Sequence, residues 1–238
     1  PVIGCSCSVC TSADPRNRRM RTSALLRTAD TTILIDAGPD FRAQALAARL
    51  THLDAVLLTH SHFDHVAGLD DLRPLCFHRG CVPVYGSDRT LSEVRERFAY
   101  AFNETSAGST RPSLDLRPTD RPFLVGDLAI RPFDVLHGTW TITGYRVGGL
   151  GYVTDASSIP PASWAMLQGL DVLVLNALRH EPHPTHYTLA QALEVIAALS
   201  PRRAYLVHMT HGIDHATGTS LPPGVEFAYD GLEVTVEL

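Results

Sequence analysis

The chain has 238 residues, 45% of them hydrophobic, and a formal net charge of −5 at pH 7. That length suits one sizeable domain or two half-domains sharing a core, and no apolar run approaches the roughly 18 residues of a membrane-crossing helix. The acidic balance, with no basic block, argues against a large nucleic-acid footprint.

In chain order, the punctuation is that of an α/β protein. Thr31–Asp36 (TTILID) is a short apolar run closed by Ala37-Gly38-Pro39, hence a strand and a turn. Asp40–Leu50 has helical spacing with Asp40 as its cap. Asp54–Thr59 is a buried-strand run ending at His60, and Val82–Tyr85 is a short strand ending at Gly86. Asp88–Phe98 predicts a helix with Glu93, Arg95, Glu96 and Arg97 on a solvated face. Residues 103–122, rich in Ser, Thr, Pro and Arg, predict a loop. Leu128–Leu136, Thr141–Val147, Leu150–Thr154, Asp171–Leu175 and Ala204–Val207 predict strands. Pro160–Leu167 and Thr188–Leu199 predict helices, the first with Pro in its opening turn and the second stopped by Ser200-Pro201. Leu232–Val236 closes the chain. No repeat or low-complexity tract is present.

Four apolar runs end in a metal-capable residue: AVLLT before His60, FDVL before His137, GYVT before Asp155 and AYLV before His208. Strand ends lie along a sheet rim, where loops build sites on a rigid scaffold. Any single histidine is more simply a satisfied core or surface residue, but four independent runs ending this way are more than a scatter of histidines gives. The densest piece is His60-x-His62-x-Asp64-His65. With His137, Asp155 and His208 it supplies seven candidate ligands, which suits two ions sharing a bridging carboxylate and a bridging water. Imidazole and carboxylate without thiolate suit Zn²⁺, Mn²⁺ or Fe²⁺.

His60–His65 resembles the HxHxDH motif of the metallo-β-lactamase superfamily, preceded by LIDAG at Leu34–Gly38, and the order motif, His, Asp, His is similar along nearly the whole chain. The resemblance implies a single domain over 1–238 with an αββα sandwich: two β-sheets packed face to face, helices outside. It implies a short first strand before residue 1. It assigns His60, His62 and His137 to a first metal, Asp64, His65 and His208 to a second, and Asp155 to the bridge. The antibiotic-hydrolysing dinuclear lactamases typically place a Cys in the second metal site, and no Cys follows Cys81; the flavo-diiron branch has a Glu where His62 stands. Pro1–Cys10 (PVIGCSCSVC), His208-Met209-Thr210-His211 and His186-Tyr187-Thr188-Leu189 resemble the cyclic-phosphate phosphodiesterases of phosphonate catabolism. Those hydrolyse phosphoribosyl cyclic phosphate, carry an additional structural zinc and hold an active-site His that is not a ligand, here His186.

The implied reaction is hydrolysis of a small, cyclic phosphodiester by a metal-bridging hydroxide. Metals lower the pKa of bound water from roughly 15.7 to about 7 and neutralise phosphate oxygens. Asp64 orients the hydroxide and His186 stabilises or protonates the leaving alkoxide. Cys5, Cys7 and Cys10 read poorly as a disulfide framework and better as thiolates in a reducing, cytoplasmic setting. With His211 they would make a Cys₃His zinc site. Cys76 and Cys81 read as small buried hydrophobes. His52 and His78 read as surface or packing histidines, and His180, His183 and His215 as solvated loop residues. Asp36 can orient a ligand His or cap its own turn. Arg42, Arg73 and Arg179 are surface arginines able to meet phosphate, and Trp140 and Trp164 are packing residues. Two rivals remain: a tRNA 3′-processing ribonuclease or thioester hydrolase on the same site, and a non-catalytic metal-binding accessory protein. A homodimer is left open, and no membrane partner is expected.

Overall fold

The computed structural model describes residues 1–103 and 110–237, with the side chains of His78 and Arg79 left aside. It is a mixed α/β structure with two sheets. The chain divides into two compact units: Pro1–Met20 with Phe133–Leu238, and Arg21–Pro132.

Within Arg21–Pro132, a five-stranded sheet runs in the order β1 (Ala24–Arg27), β2 (Thr32–Ile35), β3 (Ala55–Leu57), β4 (Val82–Gly86), β5 (Leu114–Pro118). β1 is antiparallel to β2 and the remaining pairs are parallel. Every residue of β2 and β3 is buried, as the unbroken apolar runs of a parallel interior require. Their core gathers Leu34, Phe41, Val56, Leu58, Val66, Leu69 and Leu72. Helix α1 spans Phe41–Ala47; Asp40 holds its N-cap position but its side chain makes no capping bond, accepting instead from the Arg21 amide at 2.8 Å. Two short helices follow, α2 (Phe63–Val66) and α3 (Arg73–Arg79), and then α4 (Asp88–Arg97), which Ser87 caps by accepting from the Thr90 amide.

The second sheet has seven strands in the order β12-β11-β10-β9-β8-β7-β6: β6 Phe123–Val125, β7 Leu128–His137, β8 Trp140–Val147, β9 Leu150–Val153, β10 Val172–Asn176, β11 Arg203–Val207 and β12 Val225–Phe227. β9 to β12 run parallel to one another, and β8 is antiparallel to β9. The unit Pro1–Met20 with Phe133–Leu238 has its own core, including Val135, Val153, Leu173, Leu175, Ala192 and Leu206. Helix α5 (Pro161–Trp164) carries Pro in its first turn, and α6 (Leu189–Leu199) opens on a full capping box of Thr188 and Gln191 and stops at Ser200 in the left-handed conformation. Trp164 and Trp140 pack against this core.

Several sequence readings need correction. The segment 103–122 is not all loop, since Leu114–Pro118 forms β5 against β4; the expectation for 104–109 lies outside the described residues. β5 carries Asp115 and Arg117 and is half-exposed, so parallel pairing rather than an apolar pattern makes it a strand. The last strand is β12; among the described residues, Leu232–Val236 has no strand pairing. Cys76 is buried as expected, whereas Cys81 is exposed.

Candidate active site

In the unit Arg21–Pro132, the segment after β3 carries Thr59, His60 and Ser61 fully buried, then His62 and Phe63 exposed. α2 begins there and places Asp64 and His65 in its single turn. His60 Nε2 lies 3.0 Å from His62 Nδ1, and the His60 and His65 ring centroids are 4.2 Å apart. His65 Nε2 is 3.6 Å from an Asp64 oxygen. Asp36, at the end of β2, is fully buried and accepts three bonds: from the Thr59 amide at 2.8 Å, the Thr59 hydroxyl at 2.8 Å and His65 Nδ1 at 2.7 Å. It therefore orients a candidate ligand, which settles the two readings of Asp36 in favour of the first. Because Nδ1 of His65 donates, its Nε2 is the acceptor nitrogen. Gly38 makes room for this turn: a Cβ there would lie 2.2 Å from the Asp64 carbonyl oxygen.

Two partners of this loop were not legible in the sequence. The Ser61 hydroxyl donates to Glu93, and the Arg97 guanidinium donates to the Ser61 carbonyl. Glu93 pairs with Arg89 and Arg97 at 3.0 Å each. α4 thus holds the residue between His60 and His62, and the expected solvated face is in part a clamp. The Ser61 hydroxyl foremost, and then Arg89, keep the Glu93 carboxyl below its ordinary range.

In the other unit, Asp155 follows β9, His208 follows β11 and His137 ends β7. One Asp155 oxygen is 2.8 Å from His186 Nε2 and 3.1 Å from His208 Nε2. The other accepts from the Thr154 hydroxyl at 2.8 Å. Ligand-type atoms of His137, Asp155 and His186 all lie within 4.8 Å of one another. His137 Nδ1 donates to the carbonyls of Asp155 at 2.7 Å and Thr185 at 2.9 Å, which leaves Nε2 as its acceptor nitrogen. Asn176, fully buried at the end of β10, bonds both backbone groups of Ala156, accepting from the amide at 2.8 Å and donating to the carbonyl at 3.0 Å. It pins the loop beyond Asp155. Its only sequence signal was a polar residue ending the run VLVLN.

Five non-glycine residues among those described have positive φ, and three are Asp36 (60°), Asp155 (56°) and His208 (56°). Such conformations cost roughly 1–3 kcal/mol each and persist where the surroundings over-determine them. They occur here at the ends of β2, β9 and β11.

His183 is not simply solvated. It is half-buried, its Nδ1 is 3.1 Å from His186 Nδ1, and burial keeps its pKa below the ordinary histidine value. His180 is exposed as expected, and His52 is exposed with Nε2 3.2 Å from the Thr32 hydroxyl. The side chain of His78 is outside the described set. His215 has a buried Nδ1 and packs edge-on against Phe227 and Tyr229. Arg179 donates to the carbonyls of Glu181 and Pro182, Arg73 pairs with Asp70 at 3.3 Å, and Arg42 is exposed.

The third cluster is complete within Pro1–Met20 and Phe133–Leu238. Ligand-type atoms of Cys5, Cys7, Cys10 and His211 lie within 4.8 Å of one another. The three sulfurs are 3.3, 3.5 and 3.4 Å from the same His211 Nδ1, and all three thiols are free of disulfides. The Cys10 amide beside its sulfur lowers the Cys7 pKa to about 6, which favours the thiolate that binds metal.

These donor sets fit divalent ions. Acceptor nitrogens are selected by hydrogen bonds on the opposite side of each ring, as at His65 and His137, and three sulfurs with one imidazole nitrogen are a common zinc set. The chain belongs to the beta-lactamase superfamily, whose sequence profile, Beta-lactamase superfamily domain, matches residues 31–209. It has the metallo-β-lactamase fold, the fold class expected from its sequence. It is similar to a solved structure described as a new diphosphatase from the PhnP family: 40% identical, TM-score 0.93, covering 100% of this chain and 93% of that one. A protein of Porphyromonas gingivalis named octanoyltransferase is 41% identical over all of this chain, which spans 49% of that relative. Coenzyme PQQ synthesis protein B of Rhodopseudomonas palustris is 31% identical over 74% of this chain and 62% of its own length. The chain thus spans about half to three-fifths of these two curated relatives. Among the described residues, no helix is long and apolar enough to cross a membrane.

Proposed function

We propose that the chain is a phosphodiesterase acting on a small, cyclic phosphodiester. The observation that carries the reading is His186, a histidine outside the seven-ligand set, with Nε2 2.8 Å from the carboxylate assigned as the bridge. The family resemblance gives one ion to His60, His62 and His137, a second to Asp64, His65 and His208, and Asp155 to both. Zinc or manganese suits this set, and a structural zinc suits Cys5, Cys7, Cys10 and His211. Bound ions lower the pKa of water and neutralise phosphate oxygens. One Asp155 oxygen meets His186 Nε2 at 2.8 Å while the Thr154 hydroxyl donates to the other. Asp64 orients the attacking water. His186 carries a proton on Nε2 and gives it to the leaving oxygen, a role worth about 10²–10⁴ in rate.

A second reading rests on the similarity to the diphosphatase: cleavage of a diphosphate bridge. A phosphate leaving group needs little protonation, so His186 would then matter less. Octanoyl transfer is attached to a relative twice as long, and the donor sets supply no argument for it.

The test is a panel containing a ribose cyclic phosphate, bis-p-nitrophenyl phosphate, a nucleoside diphosphate, a pre-tRNA and a thioester, with metal content measured on the same sample. Fastest turnover of the cyclic ester, with His186→Ala retaining both ions and losing about 10²–10⁴ in kcat, is expected. Metal-loaded protein that turns over no phosphodiester defeats the reading, and preference for the diphosphate selects the second.

A further inference from the structure

His183 stands outside every ligand set above, yet it meets His186 on the face away from Asp155. Its Nδ1 lies 3.1 Å from His186 Nδ1 and 3.2 Å from the Thr185 hydroxyl oxygen. That hydroxyl is 2.9 Å from His186 Nδ1. The Thr185 backbone amide donates to His183 Nδ1 at 3.3 Å. An imidazole nitrogen that accepts an N–H has its lone pair there, so the proton of a neutral His183 sits on Nε2. Burial, with His186, Arg179 and His137 nearby, keeps His183 below its ordinary pKa and favours that neutral ring.

This polarity propagates to His186. An Nδ1 lone pair on His183 is matched by an Nδ1–H on His186, either directly or through the Thr185 hydroxyl, which accepts from His186 and donates to His183. Both routes leave the same hydrogen on the same atom. The opposite arrangement would set two lone pairs against each other at 3.1 Å. The other side of His186 presents Nε2 to Asp155 at 2.8 Å. The loop is held for this purpose: the Thr185 carbonyl accepts from His137, and Gly138, at φ +64°, has no room for a Cβ, which would lie 2.9 Å from Thr185 Cγ2.

We propose that His183 is the positioning residue of His186: its Nδ1 lone pair keeps a proton on His186 Nδ1, so that Nε2 is the nitrogen that delivers a proton to the leaving oxygen. The proposal rests on the assignment of His186 as the acid. In the step, the oxygen of the attacking hydroxide bonds to phosphorus as the P–O bond to the leaving group breaks, the leaving oxygen takes the Nε2 proton, and His186 is left neutral with Nδ1–H still donated towards His183. An orienting partner on the far ring nitrogen does the same work for the histidine of hydrolase triads.

Two measurements on the zinc-loaded full chain test it. The first is ¹⁵N NMR of the histidine side chains, with His186 assigned by its loss in His186→Ala. The expected result is a protonated Nδ1 on His186 that loses this preference in His183→Ala; an unprotonated Nδ1 in the unmodified protein overturns the proposal. This arm requires no turnover. The second is steady-state kinetics on a ribose cyclic phosphate and bis-p-nitrophenyl phosphate. His183→Ala should lower kcat on the cyclic ester by about 10–100-fold, as partners of site histidines do, with KM and metal content unchanged. The loss should be smaller on the aryl ester, whose leaving group needs less protonation. His183→Asn, whose amide oxygen can accept in place of Nδ1, should recover part of the rate. Adding His183→Ala to His186→Ala should change nothing further, since coupled residues are non-additive. Additive losses, or equal losses on both substrates, overturn the proposal. Absence of turnover of every phosphate ester, with His186 Nδ1–H intact, defeats the phosphodiesterase reading and leaves the pairing of the two histidines standing.

Discussion

Asp36→Asn isolates what orientation contributes to metal binding. The carboxylate is fully buried and receives the Thr59 amide, the Thr59 hydroxyl and His65 Nδ1–H, all at 2.7–2.8 Å. Asparagine keeps the shape, tolerates the φ of 60° and still offers Oδ1 to the Thr59 amide. It presents an NH₂ where Asp36 accepted from the hydroxyl and from His65. The hydroxyl can rotate and accept, but His65 must move its proton from Nδ1 to Nε2, the nitrogen needed for metal. Hydrogen bonds to charged groups contribute about 1.5–3 kcal/mol each, so metal-free protein should lose about that much stability. Loss of such an orienting partner typically costs about 10–100-fold in metal affinity, or roughly 1.4–2.7 kcal/mol. Urea unfolding of chelator-treated protein reads the first quantity, and competition against a chromophoric chelator reads the second. An Asp36→Asn protein destabilised as expected but binding metal with unchanged affinity would refute the argument that Asp36 acts through the tautomer of His65.

Asp155→Ala should reduce the active-site metal content below two ions and abolish turnover; unchanged stoichiometry by elemental analysis removes Asp155 as the shared ligand. Cys7→Ser should lower the metal count by one and the Tm by several degrees while most of the turnover survives, because a closed Cys₃His site acts on folding rather than chemistry; a melt and an elemental analysis on one sample check both. The pKa of His215 is held down by burial, and then by Arg16. The folded state therefore binds this proton less readily than the unfolded chain, where a histidine titrates near about 6.5. Its contribution to stability is complete above that value and is lost as pH falls through the depressed folded pKa. His215→Phe should flatten the drop in urea midpoint between pH 7.5 and 5, and a drop identical to that of the unmodified chain would exclude His215 as a source.

The sequence made the candidate ligands legible because each is announced twice: by a residue type with few other uses in a tight cluster, and by an apolar run that stops just before it. β3, β7, β9 and β11 all end at or within a few residues of the candidate ligand they deliver. β1, β5, β6 and β12 were not legible. They are three to five residues long, with exposed positions, and partner backbones rather than their own composition make them strands. The residues that aim the ligands were hidden for a related reason. Asn176, Glu93 and His183 have no unusual spacing; each matters because of a backbone group, a hydroxyl or a ring that the fold brings within about 3 Å, at Ala156, Ser61 and His186 respectively. The left-handed backbone at Asp36, Asp155 and His208 was equally silent, since only glycine advertises positive φ in a sequence. Three non-glycine residues accept that conformation because their side chains are needed at the strand ends where it arises. Asp36 shows how it is held: the three bonds to its carboxylate tie the turn to Thr59 and His65. The identity of the candidate ligands is therefore a local property of this chain, whereas their orientation belongs to contacts between segments as distant as residues 36 and 65 or 155 and 186.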